Sequence, residues 1–219
     1  IGDKGAFNFA QMNKFFAARG YTVFDIQYGL TDRTEFLKPL QTPSPQRGHF
    51  SIDDMVRHIG LFTLYLEAHA EELNADLDSV FFSGGSAGGH LVLAAALGME
   101  SPRFAHLFSN AITVKGIIPF YPAVGGADRL GIPGSSALID PGLLVTAESP
   151  PCLIYQGTHD GLVAPRIAEQ FRDRYLAAGN HACAVILLPL ASHASDFYFA
   201  GYYNQVFLFF MERFMELYR

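Results

Sequence analysis

The segment from Gly84 to Gly88 reads GGSAG and carries the pattern that most directly suggests chemistry. It joins a short apolar run, a predicted buried strand, to a predicted helix rich in Leu and Ala. A G-x-S-x-G sequence in that setting is typical of the turn that exposes a nucleophilic serine, here Ser86. We expect a strained turn in which the glycines at both ends remove Cβ atoms that would collide across it. A phosphate-binding loop is the alternative, but the segment has no Lys-Ser/Thr pair and no G-x-G-x-x-G pattern.

A serine hydroxyl is a weak nucleophile, so Ser86 needs a base and a carboxylate that orients the base. In a parallel sheet, the loops that follow the strands share one edge, and the partners of Ser86 must come from such loops. Asp160 and His193 each follow a predicted strand and fit this requirement. His159 is the neighbour of Asp160 and stays a second candidate for the base. The alternative interpretations are an exposed loop histidine for His193 and a solvated turn carboxylate for Asp160.

The other histidines have positions that do not suit a catalytic base. His181 precedes the last predicted strand and therefore belongs to the opposite edge of the sheet. Four more lie in predicted helices or in connections elsewhere: His49, His58, His69 and His106. We expect His90 and Ser83 to be packing residues at a helix start and a strand end.

The elements that must position these residues alternate along the chain. The predicted strands are residues 21–28, 79–83, 114–121, 152–156 and 184–188. Predicted helices end before Gly20 and Gly179, begin at Ser51 with Asp54 in a capping box, span 91–99, and close the chain. Continuous apolar strands separated by amphipathic helices indicate an α/β fold with a parallel sheet covered on both faces. Residues 122–151 are rich in Gly and Pro and are predicted to form a loop or a small lid.

Composition excludes several classes of protein. The 219 residues are 50% hydrophobic and 16% charged, which describes one globular domain over 1–219 rather than a disordered chain. A net charge of −6 provides no basic footprint for nucleic acid. No apolar stretch approaches the ~20 residues of a membrane span. Two cysteines, Cys152 and Cys183, make neither a disulfide scaffold nor a zinc cluster, and we expect buried free thiols.

The chain resembles the α/β-hydrolases, and within them the carboxylesterases related to hormone-sensitive lipase, acetyl-xylan and feruloyl esterases and kynurenine formamidase. The resemblance rests on residues 84–91 (GGSAGGHL), on 150–160 (PPCLIYQGTHD) and on the order serine, acid, histidine. It implies a three-layer sandwich with a mostly parallel sheet. It also implies Ser86 as nucleophile, His193 as base, Asp160 as acid, and the Ala87 amide in the oxyanion hole.

The sequence departs from that family at three places. Gln156 stands where the family often has His, and Ala194 stands where Gly usually follows the catalytic His. The H-G-G-G segment that completes the family's oxyanion hole has no counterpart, and residues 1–4 resemble the stretch just after it. We therefore expect an N-terminally truncated domain, whose first strands, including one between 21–28 and 79–83, lie upstream of the sequence.

The resemblance implies a serine hydrolase that cleaves carboxylic esters through an acyl-enzyme, with a small-molecule ester as partner and no metal or organic cofactor. Amide hydrolysis of the formamidase or peptidase type is one alternative, since the same triad serves both. A non-catalytic binding protein on a hydrolase fold is the other, and the intact triad argues against it. Phe36, Phe50, Tyr121 and residues 122–151 are candidates for an apolar pocket, with ordinary packing as an equal alternative.

Overall fold

Four parallel strands form the main sheet in the part of the chain that the structure describes. The computed structural model describes residues 9–31 and 47–219. Within that part of the chain the strand order is β3-β4-β5-β6, and a separate two-stranded parallel pair joins β1 to β2. The strands are β1 (Leu30–Thr31), β2 (Arg47–Gly48), β3 (Val80–Gly85), β4 (Val114–Phe120), β5 (Cys152–Gly157) and β6 (Cys183–Leu188).

Helices cover both faces of this sheet. They are α1 (Phe9–Ala17), α2 (Ile52–Ala68), α3 (Ala87–Met99), α4 (Gly126–Arg129), α5 (Ser136–Ile139), α6 (Arg166–Ala177) and α7 (Tyr202–Tyr218), with 3-10 turns at Ala105–Leu107 and Pro141–Leu144. One core cluster includes α2, α3 and α6, and the other includes α1 and α7. The result is a three-layer sandwich. No helix of the described residues has both the length and the apolar composition to cross a membrane.

Successive side chains of a strand point to opposite faces of the sheet, and this alternation explains the two core clusters. Every residue of β5 is buried, and its first four side chains are largely apolar, whereas Gln156 is a buried polar residue with hydrogen-bond partners. Cys152 and Ile154 pack in the cluster with α2, α3 and α6, whereas Leu153 and Tyr155 pack in the cluster with α1 and α7. The four predicted strands 79–83, 114–121, 152–156 and 184–188 are confirmed, with ends that differ by one or two residues.

The helix starts follow local signals. The capping box of α2 is present, because the Ser51 side chain accepts from the Asp54 backbone while the Asp54 carboxylate accepts from Ser51. The α3 helix begins at Ala87, four residues before the predicted start at Leu91. The sequence does not predict this first turn, because two glycines occupy it and glycine has low helix propensity.

The predicted strand at 21–28 is wrong. Residues 21–29 belong to no helix or strand, and the chain there contacts α2 and the segment after it. The Phe24 ring packs on Phe62, and the Gly29 amide donates to His58 Nδ1 at 3.1 Å. Residues that favour strands form one only where a neighbouring strand supplies the ladder hydrogen bonds. In the described sheet β3 is an edge strand, and the expectation of further upstream strands stays a prediction.

Residues 122–151 fold into short helical turns rather than a free loop. Helices α4 and α5 and the turn Pro141–Leu144 lie here, and Leu138 is fully buried. The imidazole of His90 on α3 hydrogen bonds through Nε2 to Leu138 O at 2.7 Å. His90 is thus a packing residue as expected, with Leu138 as its hydrogen-bond partner, and this contact joins the helix after Ser86 to residues 122–151.

The two cysteines are buried and free, as predicted. They face each other in the register of β5 and β6, where Cys152 pairs with Cys183. Burial raises the pKa of the Cys152 thiol, which favours its neutral form.

A pH test follows from the burial of His90. Burial is the main cause that lowers the pKa of this imidazole, so its neutral form is favoured in the folded state. Stability from this group is therefore present above about pH 6.5 and is lost as pH falls through the folded pKa. We expect His90→Gln to flatten the fall in unfolding free energy below pH 6.5, measured from urea midpoints at several pH values. The exposed His106→Gln variant is the control. An unchanged slope in His90→Gln contradicts this role.

Candidate active site

Ser86 lies on a left-handed turn between β3 and α3. Its backbone has φ 55° and ψ −113°, a conformation that costs a non-glycine residue about 1–3 kcal/mol. A Cβ at Gly84 would approach Gly88 O to 2.6 Å, so a side chain at 84 is excluded, as the sequence predicted. The same expectation for Gly88 is wrong, because a Cβ there would meet no described atom within 4 Å. Gly89 is the second tight position, with Phe120 O at 2.9 Å.

The structure brings Ser86, His193 and Asp160 together in a hydrogen-bonded row. The distance from His193 Nε2 to Ser86 Oγ is 3.0 Å, and from His193 Nδ1 to Asp160 Oδ2 it is 2.8 Å. With the proton on Nδ1, the imidazole donates to the carboxylate and its Nε2 accepts the serine O–H. The Asp160 side chain is fully buried and 14% of the His193 side chain is exposed. The row therefore opens to solvent on the serine and histidine side.

Three further donors hold the Asp160 carboxylate. The backbone amides of Leu162 and Val163 donate to Oδ1 at 2.9 and 2.8 Å, and Gln156 Nε2 donates to Oδ2 at 3.2 Å. A buried carboxylate needs such partners, because burying it unpaired is costly. Gln156, noted in the sequence only as a departure from the family, thus orients the acid.

Backbone contacts join the loop that carries Asp160 to the loop that carries His193. Thr158 N donates to Leu188 O at 3.0 Å, and His159 N donates to Ala191 O at 2.9 Å. The loops approach so closely that a Cβ on Gly157 would lie 2.3 Å from Ala191 O. This contact explains the glycine and fixes the spacing between acid and base.

A tyrosine ring packs against the His193 imidazole at a tilt of 57°. The Tyr121 ring centroid is 4.4 Å from the imidazole centroid, and its hydroxyl donates to Asp196 Oδ1 at 2.8 Å. Tyr121 and Ala194 both have positive φ, 35° and 58°. The left-handed backbone at Ala194 is the reason that glycine suits this position. The sequence analysis named Tyr121 only as a pocket candidate and missed Asp196, whose signal is an acid directly before the aromatic run 197–199.

The remaining candidates lie outside this row. The His159 side chain is exposed and contacts Thr158, so the structure favours His193 of the two histidines. Of the pocket candidates, Phe50 packs edge-on against His58, and residues 122–151 contact the turn at their start, where Ala123 N donates to Ser86 O. Phe36 lies outside the described residues.

The oxyanion donors are described in part. Ala87 is the first residue of α3, where backbone N–H groups have no partner within the helix. Phe9 at the start of α1 packs close to the turn, since a Cβ on Gly85 would lie 2.8 Å from its ring. Residues 1–4, which resemble the stretch after the H-G-G-G segment, lie outside the described residues. In the described part of the chain, no group of three or more His, Cys, Asp or Glu side chains is arranged to hold a metal ion.

The sandwich with its parallel sheet, and the serine turn at the carboxyl end of an edge strand, define an α/β-hydrolase. The sequence model of the BD-FAE family matches residues 1–128, and the chain belongs to that family.

The proteins to which this chain is similar include esterases. The probable carboxylic ester hydrolase LipM of Mycobacterium tuberculosis is 29% identical over 154 residues, 60% of this chain and 36% of LipM. Thermogutta terrifontis esterase 2 phosphorylated by paraoxon superimposes with a TM-score of 0.61 at 25% identity, over 79% of this chain and 64% of that one. The carboxylesterase Cest-2923 of Lactobacillus plantarum has a TM-score of 0.60 at 24% identity, over 67% and 57%. The chain thus spans less than two thirds of each relative's length.

The glycine geometry predicts a contrast between the two ends of the turn. Gly84→Ala forces a Cβ against backbone atoms, so we expect it to lower the unfolding free energy by about 2 kcal/mol. Gly88→Ala is the control and should change stability by less than about 0.5 kcal/mol, or raise it slightly, since alanine favours helix. Chemical denaturation of both variants measures this difference. Equal losses in the two variants contradict the steric account.

Proposed function

We propose that this protein is a carboxylic ester hydrolase that acts through an acyl-enzyme on Ser86. The observation that carries the proposal is the hydrogen-bonded row of Ser86, His193 and Asp160, with contacts of 3.0 and 2.8 Å. Its order along the chain is that of α/β-hydrolases. The esterase relatives support the ester as the substrate class.

In the proposed reaction, Ser86 Oγ attacks the ester carbonyl carbon while His193 Nε2 takes the hydroxyl proton. The tetrahedral intermediate then expels the alcohol, to which His193 returns that proton. Water attacks the acyl-enzyme with His193 as base, and the carboxylic acid leaves. Asp160 keeps the imidazole in the tautomer that accepts from serine and stabilises the imidazolium. These steps need only protein groups and water.

The Ala87 amide is the proposed oxyanion donor from this part of the chain. It follows the nucleophile directly and lies at the positive end of α3, where negative charge is stabilised. One oxyanion donor is worth about 100- to 1000-fold in rate, and the family resemblance implies that further donors precede α1.

No observation favours the two alternatives over ester hydrolysis. Amide cleavage uses the same residues, but the relatives described above are esterases. A binding protein has no need of a serine in a strained backbone or of a buried, fully hydrogen-bonded acid. Strain of this kind is typical of active sites.

A covalent label tests the nucleophile. Paraoxon phosphorylates T. terrifontis esterase 2, and we expect an organophosphate to add one phosphoryl group to Ser86 of this protein. Intact-mass and peptide-mass measurements locate the label. Ser83→Ala is the matched control on the same strand and should still be labelled, whereas Ser86→Ala should not. Labelling at another serine with ester hydrolysis intact overturns the assignment.

The role of Asp160 can be tested by the hydrolysis of short p-nitrophenyl esters. Ser86→Ala should lower kcat by about 10⁵- to 10⁶-fold, whereas Asp160→Asn should lower it by about 10³- to 10⁴-fold, since the acid assists a base that remains. Steady-state rates of both variants at neutral pH provide the test. A wild-type rate for Asp160→Asn excludes the proposed role of the acid.

A further inference from the structure

We propose that Asp196, acting through Tyr121, is a positioning residue for His193 and places a second negative charge behind the imidazole that favours its protonated form. The inference rests on the proposed function, in which that imidazolium forms when Ser86 gives up its proton. Nothing in the triad itself requires this second acid. The inference is based on two contacts, one from Asp196 to Tyr121 and one from Tyr121 to His193.

The geometry places the three side chains in sequence. The Asp196 side chain accepts from the Tyr121 hydroxyl at 2.8 Å, and the Tyr121 ring lies 4.4 Å from the imidazole, tilted by 57°. Asp196 is fully buried and Tyr121 is 2% exposed. Burial, and next the charge of Asp196, raise the pKa of the Tyr121 hydroxyl, so the tyrosine keeps the proton that it donates to Asp196.

Packing against the imidazole does not by itself require the Tyr121 hydroxyl or the Asp196 carboxylate. A phenylalanine at 121 would cover the imidazole as well, without a buried carboxylate behind it. A buried carboxylate beyond the Tyr121 hydroxyl attracts a cation at the imidazole, and this attraction is stronger in a site of low dielectric than in water. The attraction acts on His193 only when it is protonated. The pair therefore stabilises the imidazolium rather than the resting imidazole.

A neutral contact in the same loop provides the comparison. Tyr155 OH lies 2.6 Å from Ser195 Oγ, so this tyrosine also ties the histidine loop to the sheet. If Asp196 served only to hold the loop, removing either tie would have the same kind of effect. The charge of Asp196 distinguishes the two contacts.

The surroundings of His193 define what a titration reports. Asp160 contacts Nδ1, Ser86 contacts Nε2, and the Tyr121 ring packs against the imidazole. The Tyr155 ring packs in turn against Tyr121, with ring centroids 5.9 Å apart. The other ionisable side chain of the acid loop, His159, contacts Thr158. Asp196 reaches His193 through its hydrogen bond with Tyr121.

The test is Asp196→Asn, which keeps an oxygen that can accept from Tyr121 and removes only the charge. In the intact protein labelled with ¹³C-histidine, the His193 signal is identified by its loss in His193→Gln. We expect Asp196→Asn to lower the pKa of His193 by about 0.5 to 1 unit and to move the acid limb of kcat/KM by the same amount. Tyr155→Phe is the matched control and should leave that pKa unchanged.

Tyr121→Phe is the second variant, for the case that Asp196→Asn does not fold. In this variant the Asp196 carboxylate loses the hydroxyl donor of Tyr121, which makes its charge less favourable in the buried site, so we expect this variant also to lower the pKa of His193. A folded Asp196→Asn or Tyr121→Phe protein with an unchanged pKa of His193 overturns the inference, whatever its activity. The titration does not depend on turnover. A wild-type protein that hydrolyses no ester, yet shows the shift on substitution, rejects the proposed function and retains the positioning role.

Discussion

The strained backbone of Ser86 is the constraint on which the rest of the site depends. Its φ of 55° is maintained from several sides, since Ser86 N donates to Phe120 O while Ser86 O accepts from the amides of His90 and Ala123. These contacts join the turn to β4 and to the segment that follows it. The serine hydroxyl thus has a set position at the edge of the sheet, and the other two loops have to reach it there.

The same edge of the sheet concentrates buried polar groups and left-handed residues. Asp160 contacts the His193 imidazole directly, and Asp196 contacts the tyrosine that packs against it. Each carboxylate accepts from its own donors, which include backbone amides for the first and a phenol for the second. Unpaired buried carboxylates cost several kcal/mol, so these donors are conditions for the fold as well as for the site. Positive φ at Tyr121 and Ala194 adds strain at the same place. Such strain persists only where surrounding contacts over-determine the backbone.

Much of the architecture could be predicted from local patterns. Apolar runs predicted four strands, and the box formed by Ser51 and Asp54 predicted the start of α2, because these signals depend on neighbours in the sequence. Residues 21–28 show where local sequence patterns fail to predict the structure. Their composition favours a strand, but a strand exists through hydrogen bonds to another strand, and in the described structure these residues contact α2 instead.

By itself, the sequence determined the serine turn between β3 and α3, the α/β class and the loops that carry Asp160 and His193, since motif and element order are local properties. It left His159 beside His193, and only the tertiary structure chose between them, because one imidazole reaches Ser86 Oγ at 3.0 Å and the other is exposed. The tertiary structure also decided which glycines are tight and which acid lies behind Tyr121. Tyr121 and Asp196 are 75 residues apart, and their contact exists only because packing brings two loops of the sheet to the same edge.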